Sequence, residues 1–391
     1  MTKLKDITGK ALSGEWGTDD ETGVGIPVLR TTNFTNEGIV NYENVVTRII
    51  TKKDISEKYL QSGDIIIEKS GGSDKQPVGR VIYFDGPENT YLFNNFTGLL
   101  RVRDKNEWFP RYVFYSLFAN YKKGGTRPFE NKTTGLHNLK TDDYVSRYEI
   151  TEIPLNKQVA ICAQLDQILK VINLRRKEIS NLDDLIKARF VEMFGDNQEA
   201  HKLSDIAAIT GGLTKNSRRD KLELRKPYLR VANVFFASID TTEILDIGLT
   251  KEEYEKTLLR NGDLLFVEGN GSPDQIGRVA IWNGEIEDCV HQNHLIKARF
   301  DLKRMNPVFA MYYFISERGR NQIKKRAVST SGLYTLSVSK IADFEIPNPP
   351  MELQQQFAAF VTAIDKSKAT VQKALDETQL LFDSLMQQYF G

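Results

Sequence analysis

Several residue types that build functional sites are scarce in this sequence. Its 391 residues include two cysteines, four histidines and three tryptophans. Two cysteines exclude a disulfide framework and are typical of a reducing compartment. His291 and His294 could form half of a metal site, but an internal repeat (below) places Phe96 at the position of His294. A packing role for these histidines is therefore favoured over metal ligation.

Long apolar runs and a strong excess of charge are also missing. No run approaches the length of a membrane span, and the N-terminal MTKLKDITGK lacks the apolar core of a signal peptide. We therefore expect a cytoplasmic protein with no membrane partner. The formal net charge is +1, so any basic surface must be local. The length allows two or three domains with proper cores.

Motifs for catalysis and nucleotide binding are absent as well. There is no GxxxxGK[ST] phosphate loop and no glycine-rich turn of the kind that holds S-adenosylmethionine. Asn348-Pro349-Pro350 resembles the catalytic signature of adenine-N6 methyltransferases, but Met351 stands where an aromatic residue should hold the base. The Asp64 to Lys69 segment lacks the spacing of a metal nuclease. We predict a non-catalytic chain with no metal and no cofactor of its own.

An internal repeat is the first positive signal. Five short blocks recur in the same order at an offset of about 200 residues, which favours a duplication over chance. The matched blocks are 3–7 with 202–206, 29–33 with 229–233, 60–66 with 259–265, 79–81 with 277–279, and 134–139 with 331–336. We predict one globular domain over 1–153, a long helix over 154–196, a second globular domain over 197–346, and a C-terminal long helix over 347–391.

Both long helices carry an apolar stripe with a seven-residue step. Each follows an Ile-Pro pair and ends at Phe-Gly. About 38 residues make a helix of roughly 57 Å, which cannot bury its stripe alone. We predict an antiparallel coiled coil between them; two unrelated surface helices, each packed on its own domain, are the alternative. The predicted seam residues are Leu165, Ile168, Ile172, Ile179, Leu182, Ile186, Phe357, Phe360, Ile364, Val371, Leu381 and Leu385.

Within each globular domain strands dominate. Gly63-Asp64 and Gly262-Asp263 are typical of turns that lead into apolar strands, and Pro110 and Pro307 each open one helix. The predicted fold class is α+β: two similar, strand-dominated mixed α/β domains separated by two long helices in an antiparallel coiled coil, with a pseudo-two-fold internal repeat.

Polar and basic residues cluster in predicted loops at matching places in both domains. Lysine and arginine near serine, threonine and asparagine suit contacts to phosphates and base edges; a solvated face is the alternative for any single lysine. The candidate DNA contacts of the first domain are Lys69, Ser70, Lys75, Gln76, Arg80, Lys122, Lys123, Arg127, Lys132, Thr133, Thr134, His137 and Asn138. Those of the second domain are Arg218, Arg219, Asn270, Ser272, Gln275, Arg278, Arg320, Lys324, Lys325, Arg326, Thr330, Ser331 and Tyr334.

Together these features make the chain resemble the specificity subunit of a type I restriction-modification system. The resemblance rests on the paired Gly-Asp and Gly-Arg-Val motifs, on the (T/S)GL stretches, and on helix openings that run from Ile153 to Gln158 and from Ile346 to Gln354. It covers essentially the whole chain through motifs that are weak singly and strong jointly.

The resemblance implies that each globular domain is a target recognition domain that reads one half of a split sequence in double-stranded DNA. It implies two modification (methyltransferase) subunits and restriction (translocase and endonuclease) subunits as partners, with S-adenosylmethionine, ATP and magnesium on those partners. Helices of roughly 57 Å would limit the two half-sites to about 17 base pairs. A coiled-coil scaffold with two interaction domains that bind no DNA is the alternative function.

Overall fold

A computed structural model describes residues 1–133, 136–195, 199–330 and 332–391, with only the backbone described for Lys132, Thr133 and Thr330. The chain divides into two compact units. The first contains 1–176 and 373–391, and the second contains 177–372. Across the described residues, no helix combines the length and the apolar character needed to cross a bilayer.

The first globular domain is built mainly from short strands. Its strands are β1 (Thr2–Lys3), β2 (Leu12–Ser13), β3 (Thr18–Asp19), β4 (Ile26–Leu29), β5 (Val46–Ile49), β6 (Ile65–Glu68), β7 (Ser70–Gly72), β8 (Val81–Tyr83), β9 (Leu92–Phe93), β10 (Thr97–Leu100), β11 (Glu130–Thr133), β12 (Leu136–Leu139) and β13 (Glu149–Ile150). Its helices are α1 (Leu4–Thr8), α2 (Pro110–Lys122) and α3 (Thr141–Arg147). The sheets have the orders β2-β10-β6-β8, β3-β5-β4-β9 and β11-β12-β7, and β1 pairs with β13 to close the domain.

The long helix α4 (Leu155–Phe194) leads into a second domain of the same design. Its strands are β14 (Ala200–Lys202), β15 (Ala207–Gly211), β16 (Arg225–Leu229), β17 (Leu245–Gly248), β18 (Asp263–Val267), β19 (Gly269–Asn270), β20 (Val279–Trp282), β21 (Val290–His291), β22 (Leu295–Phe300), β23 (Val328–Thr330), β24 (Leu333–Thr335) and β25 (Glu345–Pro347). Its helices are α5 (Lys251–Thr257), α6 (Pro307–Ile315), α7 (Glu317–Arg326) and α8 (Val338–Ala342), and the chain ends with the long helix α9 (Met351–Phe390). The sheets repeat the pattern as β15-β22-β18-β20, β17-β16-β21 and β19-β24-β23, with β14 on β25.

A buried aspartate explains why the Gly-Asp motif recurs. Gly63 and Gly262 have φ of 97° and 91°, a conformation that glycine adopts readily. The next residue, Asp64, receives two hydrogen bonds at 2.7 and 2.6 Å from the Arg101 guanidinium. Asp263 receives the same pair from Arg299, both at 2.7 Å. Such bidentate pairs fix geometry as well as charge, so the motif holds the turn before the central strand in both domains.

A buried glutamine anchors the start of each long helix. Gln158 is fully buried; it accepts from the Phe109 amide at 2.8 Å and donates to the Glu107 and Ile153 carbonyls, both at 2.8 Å. Gln354, also fully buried, accepts from the Asn306 amide at 2.8 Å and donates to the Pro349 carbonyl at 2.8 Å. Each glutamine thus ties the first turn of its helix to the globular domain before it.

The two long helices run antiparallel within each unit. In the first unit, Gln164 accepts from the Tyr389 hydroxyl at 3.0 Å, and Arg175 donates to Thr378. In the second unit, Asp183 pairs with Lys368, and the Phe190 and Phe357 rings lie 5.3 Å apart. The residue numbers of the contacts decrease along α9 as they increase along α4, as in an antiparallel pair. The α+β class, the two similar domains and the pairing of two long helices are as the sequence predicted.

One part of the predicted seam is wrong. Leu381 is 51% exposed, whereas the next residue, Phe382, is 4% exposed. Val361 and Leu375 are also buried. These positions follow the Phe357 row by four residues, not by the three assumed from sequence. A seven-residue period does not itself fix whether the second row lies three or four residues on.

The remaining predicted seam residues lie inside, to different depths. Leu165, Ile172, Ile186 and Phe357 are buried, and Ile168, Ile179, Leu182, Phe360, Ile364, Val371 and Leu385 are half-buried. The row that begins at Phe357 on α9 is therefore buried at Phe357 and half-buried further along the helix. Both cysteines are free and buried, and burial raises the pKa of each thiol to about 12.

Each globular domain has more helices than the one that the sequence predicted. α2 and α6 begin at Pro110 and Pro307 as predicted, but shorter helices accompany them. The most consequential is α7, which carries the basic run that the sequence placed in a loop. Its N-cap Ser316 accepts from the Gly319 amide at 3.4 Å, a start signal available in the sequence.

Candidate nucleic-acid interface

A three-stranded hairpin sheet gathers several candidates of the first domain. β12 pairs with β11 on one side and with β7 on the other, and Asn138 lies opposite Ser70 and Asn131. Lys132 and Thr133 lie on β11, opposite His137 and Leu136. Thr134 falls outside the described residues. Strands of this kind present alternate side chains on one face, so the sheet offers a row of polar groups.

A pocket of about 500 Å³ lies beside this sheet. Lys69, Ser70 and Asn138 line it together with Phe96, which is 53% exposed. The Lys69 ammonium donates to the Ser13 hydroxyl at 2.9 Å, and burial lowers the pKa of Lys69. An exposed ring among hydrogen-bonding groups is suited to contact with a base.

A basic cleft of about 650 Å³ forms the second site in this domain. Its lining brings together five candidates, which are Lys75, Gln76, Lys122, Lys123 and Arg127. In the described part of the chain, none of these cations forms an ion pair with a carboxylate. The Lys122 ammonium lies 5.3 Å from the centre of the Phe118 ring. The cleft is therefore positively charged and suited to a polyanion.

Two candidates of the first domain prove to be structural. Arg80 makes a bidentate pair with Glu68, at 3.1 and 2.8 Å, and its side chain is 16% exposed. His137 is buried and lies 3.0 Å from Glu130 through Nδ1. Both side chains are held by carboxylates inside the domain. Arg80 and His137 are therefore weaker candidates for DNA contacts than the sequence, which did not reveal their acidic partners, suggested.

The second domain has the equivalent hairpin sheet. β24 pairs with β23 and β19, and Tyr334 lies opposite Asn270 and Ser329. The Asn270 side chain accepts from the Ser272 amide at 2.9 Å, which shapes the loop that follows β19. Thr330 ends β23, and Ser331 lies outside the described residues. Asn270, Ser272 and Tyr334 are thus neighbours although 64 positions separate the first from the last.

A basic cluster lies where Arg278 and α7 meet. The Arg320 guanidinium donates to the carbonyls of Gly277 at 3.2 Å and Asp274 at 3.1 Å. Lys324 forms a 2.6 Å ion pair with the exposed Asp274 carboxylate, next to the candidate Gln275. Three cations and one carboxylate leave a local positive charge. We call Asp274, Arg278, Arg320 and Lys324 the α7 cluster.

The other candidates of the second domain lie apart or are engaged. Arg219 is 11% exposed and forms a bidentate pair with Glu253 at 2.9 and 2.8 Å, so its guanidinium is engaged inside the domain and is a weaker candidate for a DNA contact. Arg326 donates to the Asp343 carbonyl and lies over the Phe344 ring, which leaves it half-buried. Arg218 and Lys325 are exposed. Arg218 belongs to a short 3-10 helix (Ser217–Lys221), and Lys325 to α7.

Sequence reasoning missed two aromatic residues beside the α7 cluster. Phe235 is 43% exposed, with the Arg278 guanidinium 5.4 Å from its ring centre, and Arg320 lies 5.0 Å from the ring centre of Phe236. The two adjacent phenylalanines shortly after the 229–233 repeat block were the signal available in the sequence. Among the described residues, no three His, Cys, Asp or Glu side chains gather as a metal site would require.

The family model for the type I restriction modification DNA specificity domain matches residues 1–183 and again 196–378. The chain belongs to this family. Its two matches correspond to the two copies that the repeat and the sheet orders indicate, each with most of one long helix. A DNA specificity domain is thus present twice.

Relatives agree with this assignment. The EcoKI specificity subunit of Escherichia coli K12 is 22% identical over 393 residues, covering 93% of this chain and 80% of the relative. A Methanocaldococcus jannaschii protein, provisionally named as the type I restriction enzyme MjaX specificity subunit, is 27% identical over 229 residues. That match covers 57% of this chain and about half of the relative (50%).

Solved structures show the same fold. The S subunit of a type I restriction-modification system from M. genitalium has a TM-score of 0.56 at 16% identity, covering 100% of this chain and 95% of that one. A second chain, from a study of complex assembly and conformational transition of the type I R-M system, gives 0.56 at 14% identity, covering 100% and 96%.

Proposed function

We propose that this chain is the DNA-binding specificity subunit of a type I restriction-modification enzyme, and that each globular domain reads one half of a bipartite target in double-stranded DNA. The observation that carries the proposal is the paired DNA specificity domain, matched over 1–183 and 196–378. Each copy also has a polar hairpin sheet and a basic cluster. Cations bind the phosphates and polar side chains read base edges, and sequence-specific binding needs both.

We propose that the chemistry lies on partner subunits. The Asn348-Pro349-Pro350 segment serves the helix start, because Gln354 donates to the Asn348 side chain at 3.2 Å and to the Pro349 carbonyl. In this proposal the chain carries no cofactor. Two modification subunits supply S-adenosylmethionine, restriction subunits supply ATP-driven translocation with magnesium, and the complex works in the cytoplasm.

The long helices are the proposed binding sites for those partners. Large apolar side chains remain exposed on them: Leu174 at 57% and Leu380 at 71% in the first unit, and Leu185 at 47% and Val191 at 63% in the second. Exposed apolar groups on otherwise polar helices are typical of surfaces that another protein covers.

We also propose that the two long helices set the spacing between half-sites. Seven residues inserted after Arg176 and seven after Gln372 preserve the seven-residue seam. The insertion adds about 10 Å, or roughly three base pairs. Mapping methylated adenines in cells that carry the modification subunits should then show a longer gap between two unchanged half-sequences. A changed half-sequence would refute this role.

Salt-dependent DNA binding tests the proposal against the scaffold alternative. In a gel shift with the modification subunits, the DNA-binding constant should fall steeply as the salt concentration rises. The double variant Lys75→Ala, Lys122→Ala should make the slope of log binding constant against log salt concentration shallower by about 1.8, since each phosphate contact contributes about 0.9. Lys53 is exposed and outside the cleft lining, so Lys53→Ala is the control. A scaffold protein would show no salt-dependent binding.

A further inference from the structure

The two domains differ at one buried position beside the repeated Gly-Arg-Val motif. The Glu68 amide donates to the Arg80 carbonyl at 2.8 Å, and the Val267 amide donates to the Arg278 carbonyl at 2.9 Å. The backbones therefore match, and Glu68 and Val267 occupy the same place. Both are buried, at 1% and 0% exposure. The carboxylate that holds the arginine of the first domain is thus replaced by an isopropyl group.

This replacement releases the second arginine. Arg278 makes one hydrogen bond within the described residues, from Nη2 to the Val231 carbonyl at 3.3 Å, and its buried Nε has no acceptor there. In Arg80, Nε donates to Glu68. Burial lowers the pKa of Arg278 from its ordinary value, yet an arginine stays charged near neutral pH. Among the residues that the structure describes, Arg278 is therefore a half-buried cation without a counter-ion.

A second difference occurs in the neighbouring loop. Between Val234 and Ile239 the second domain carries Phe235 and Phe236, where the first domain has Thr35 and Asn36 between Phe34 and Val40. The Arg278 guanidinium stacks over Phe235 at 5.4 Å, although that ring is 43% exposed. A planar guanidinium supported by a ring has fewer orientations to lose when it binds. Both differences thus free and orient one arginine.

The ring also favours a base over a phosphate as the ligand. An exposed phenylalanine next to a phosphate gains nothing from the contact, whereas beside a base it can cover a thymine methyl group or a base face. Arg320 and Lys324 of the α7 cluster are close by for phosphates. Nη1 and the remaining proton of Nη2, which the bond to Val231 leaves over, match the O6 and N7 acceptors of guanine.

Building on the proposed reading of DNA, we propose that Arg278, supported by Phe235, reads a guanine in the half-site of the second domain, and that Arg80 plays no such part in the first. The two copies then differ in the use of one shared arginine. Two differences between the copies carry this assignment: Val267 stands at the position that corresponds to Glu68, and Phe235 at the position that corresponds to Thr35.

A graft provides the test. Val267→Glu places a carboxylate where Glu68 stands and should lock Arg278, while Val267→Gln, of the same shape without the charge, is the matched control. The assay is competition binding of the full chain with its modification subunits to the methylation-mapped duplex and to duplexes changed at single base pairs. Thermal melting confirms that each variant folds.

Arg278→Ala should weaken binding to the cognate duplex by about 5- to 150-fold, with discrimination lost at one base pair of one half-site and the salt slope unchanged. Val267→Glu should match it, and Val267→Gln should have a smaller effect. Equal weakening on every duplex, with the slope reduced by about 1, would make Arg278 a phosphate contact and overturn the inference, as would unchanged binding. If the unaltered protein bound without salt dependence, the proposed function itself would fail.

Discussion

Lys297 gives the sharpest test of how the second domain differs internally from the first. It lies on the central strand β22, opposite Leu265, and is 2% exposed. Its ammonium donates to the Lys256 carbonyl at 3.1 Å and the Leu258 carbonyl at 3.0 Å. Leu99, which lies opposite Ile66, occupies the equivalent place in the first domain. A buried cation thus replaces a core leucine.

Burial, aided by the nearby Arg299 charge, lowers the pKa of Lys297 to about 8 from 10.5. The folded protein therefore releases this proton at a lower pH than the unfolded chain does. Between pH 8 and 10.5 the unfolded state binds more protons, so the stability rises with pH. Each pKa unit corresponds to about 1.4 kcal/mol. The contribution should reach about 3 kcal/mol between pH 7 and 10.5.

The measurement compares the free energy of unfolding of the parent chain and Lys297→Met across that pH range. Trp16→Phe and Trp108→Phe leave Trp282, 1% exposed in the core of the second domain, as the only tryptophan. Urea unfolding followed by its fluorescence then reports on that domain. Tyrosine and cysteine titrations cancel in the difference between the two proteins.

The difference, parent minus variant, should rise by about 3 kcal/mol from pH 7 to 10.5. Hydrogen bonds lost in the variant shift the whole curve but not its slope with pH. Lys303→Met, which removes an exposed lysine from the same domain, should give a nearly flat difference. A flat curve for Lys297→Met as well would refute the reasoning, because it would mean that the ammonium is hydrated in the folded protein.

Three further predictions concern stability. Phe382→Ala should lower the free energy of thermal unfolding by about 3–5 kcal/mol and Leu381→Ala by less than about 1, because the Phe382 side chain is buried and the Leu381 side chain is exposed. The reverse order would restore the original seam. Burial lowers the pKa of His291 to about 3 from 6.5, so relative to His291→Gln the parent should lose about 2 kcal/mol of unfolding free energy as the pH falls from 6.5 to 4.5, measured by urea unfolding. Gln158→Leu should lower the melting temperature, since it removes the side-chain partner of three partly buried backbone groups.

The parts of the fold that the sequence predicts are those with local or periodic causes. The Gly63-Asp64 turn and the Pro110 helix start depend on backbone preferences that neighbouring residues determine. The long helices follow from a repeated apolar step. The duplication multiplies these signals, because a motif that is weak once is informative when it recurs in order.

The features that the sequence did not reveal depend on partners distant in the chain. Arg80 and Arg219 are residues of the type that contacts phosphates, but Glu68 and Glu253 pair with them in the folded domain. The prediction for Leu381 was wrong for a different reason. Rows placed three and four residues after Phe357 have the same seven-residue period, and only the packing against α4 decides which of them is buried. Residue type alone could identify a basic surface but not which cations remain free on it.

Comparison of the two copies also distinguishes residues that hold the fold from residues that could contact DNA. Gln158 and Gln354 keep the same bonds in both copies, as expected of groups that hold the fold. Lys297 and Leu99 differ, but both are fully enclosed, so their exchange alters stability and its pH dependence without reaching a ligand. Arg278 differs from its counterpart in a third way: its residue type is kept, its internal partner is lost, and it rests on an exposed ring. If each copy reads one half-site, as proposed, a difference in recognition should arise at a site that keeps its cation and changes what restrains it.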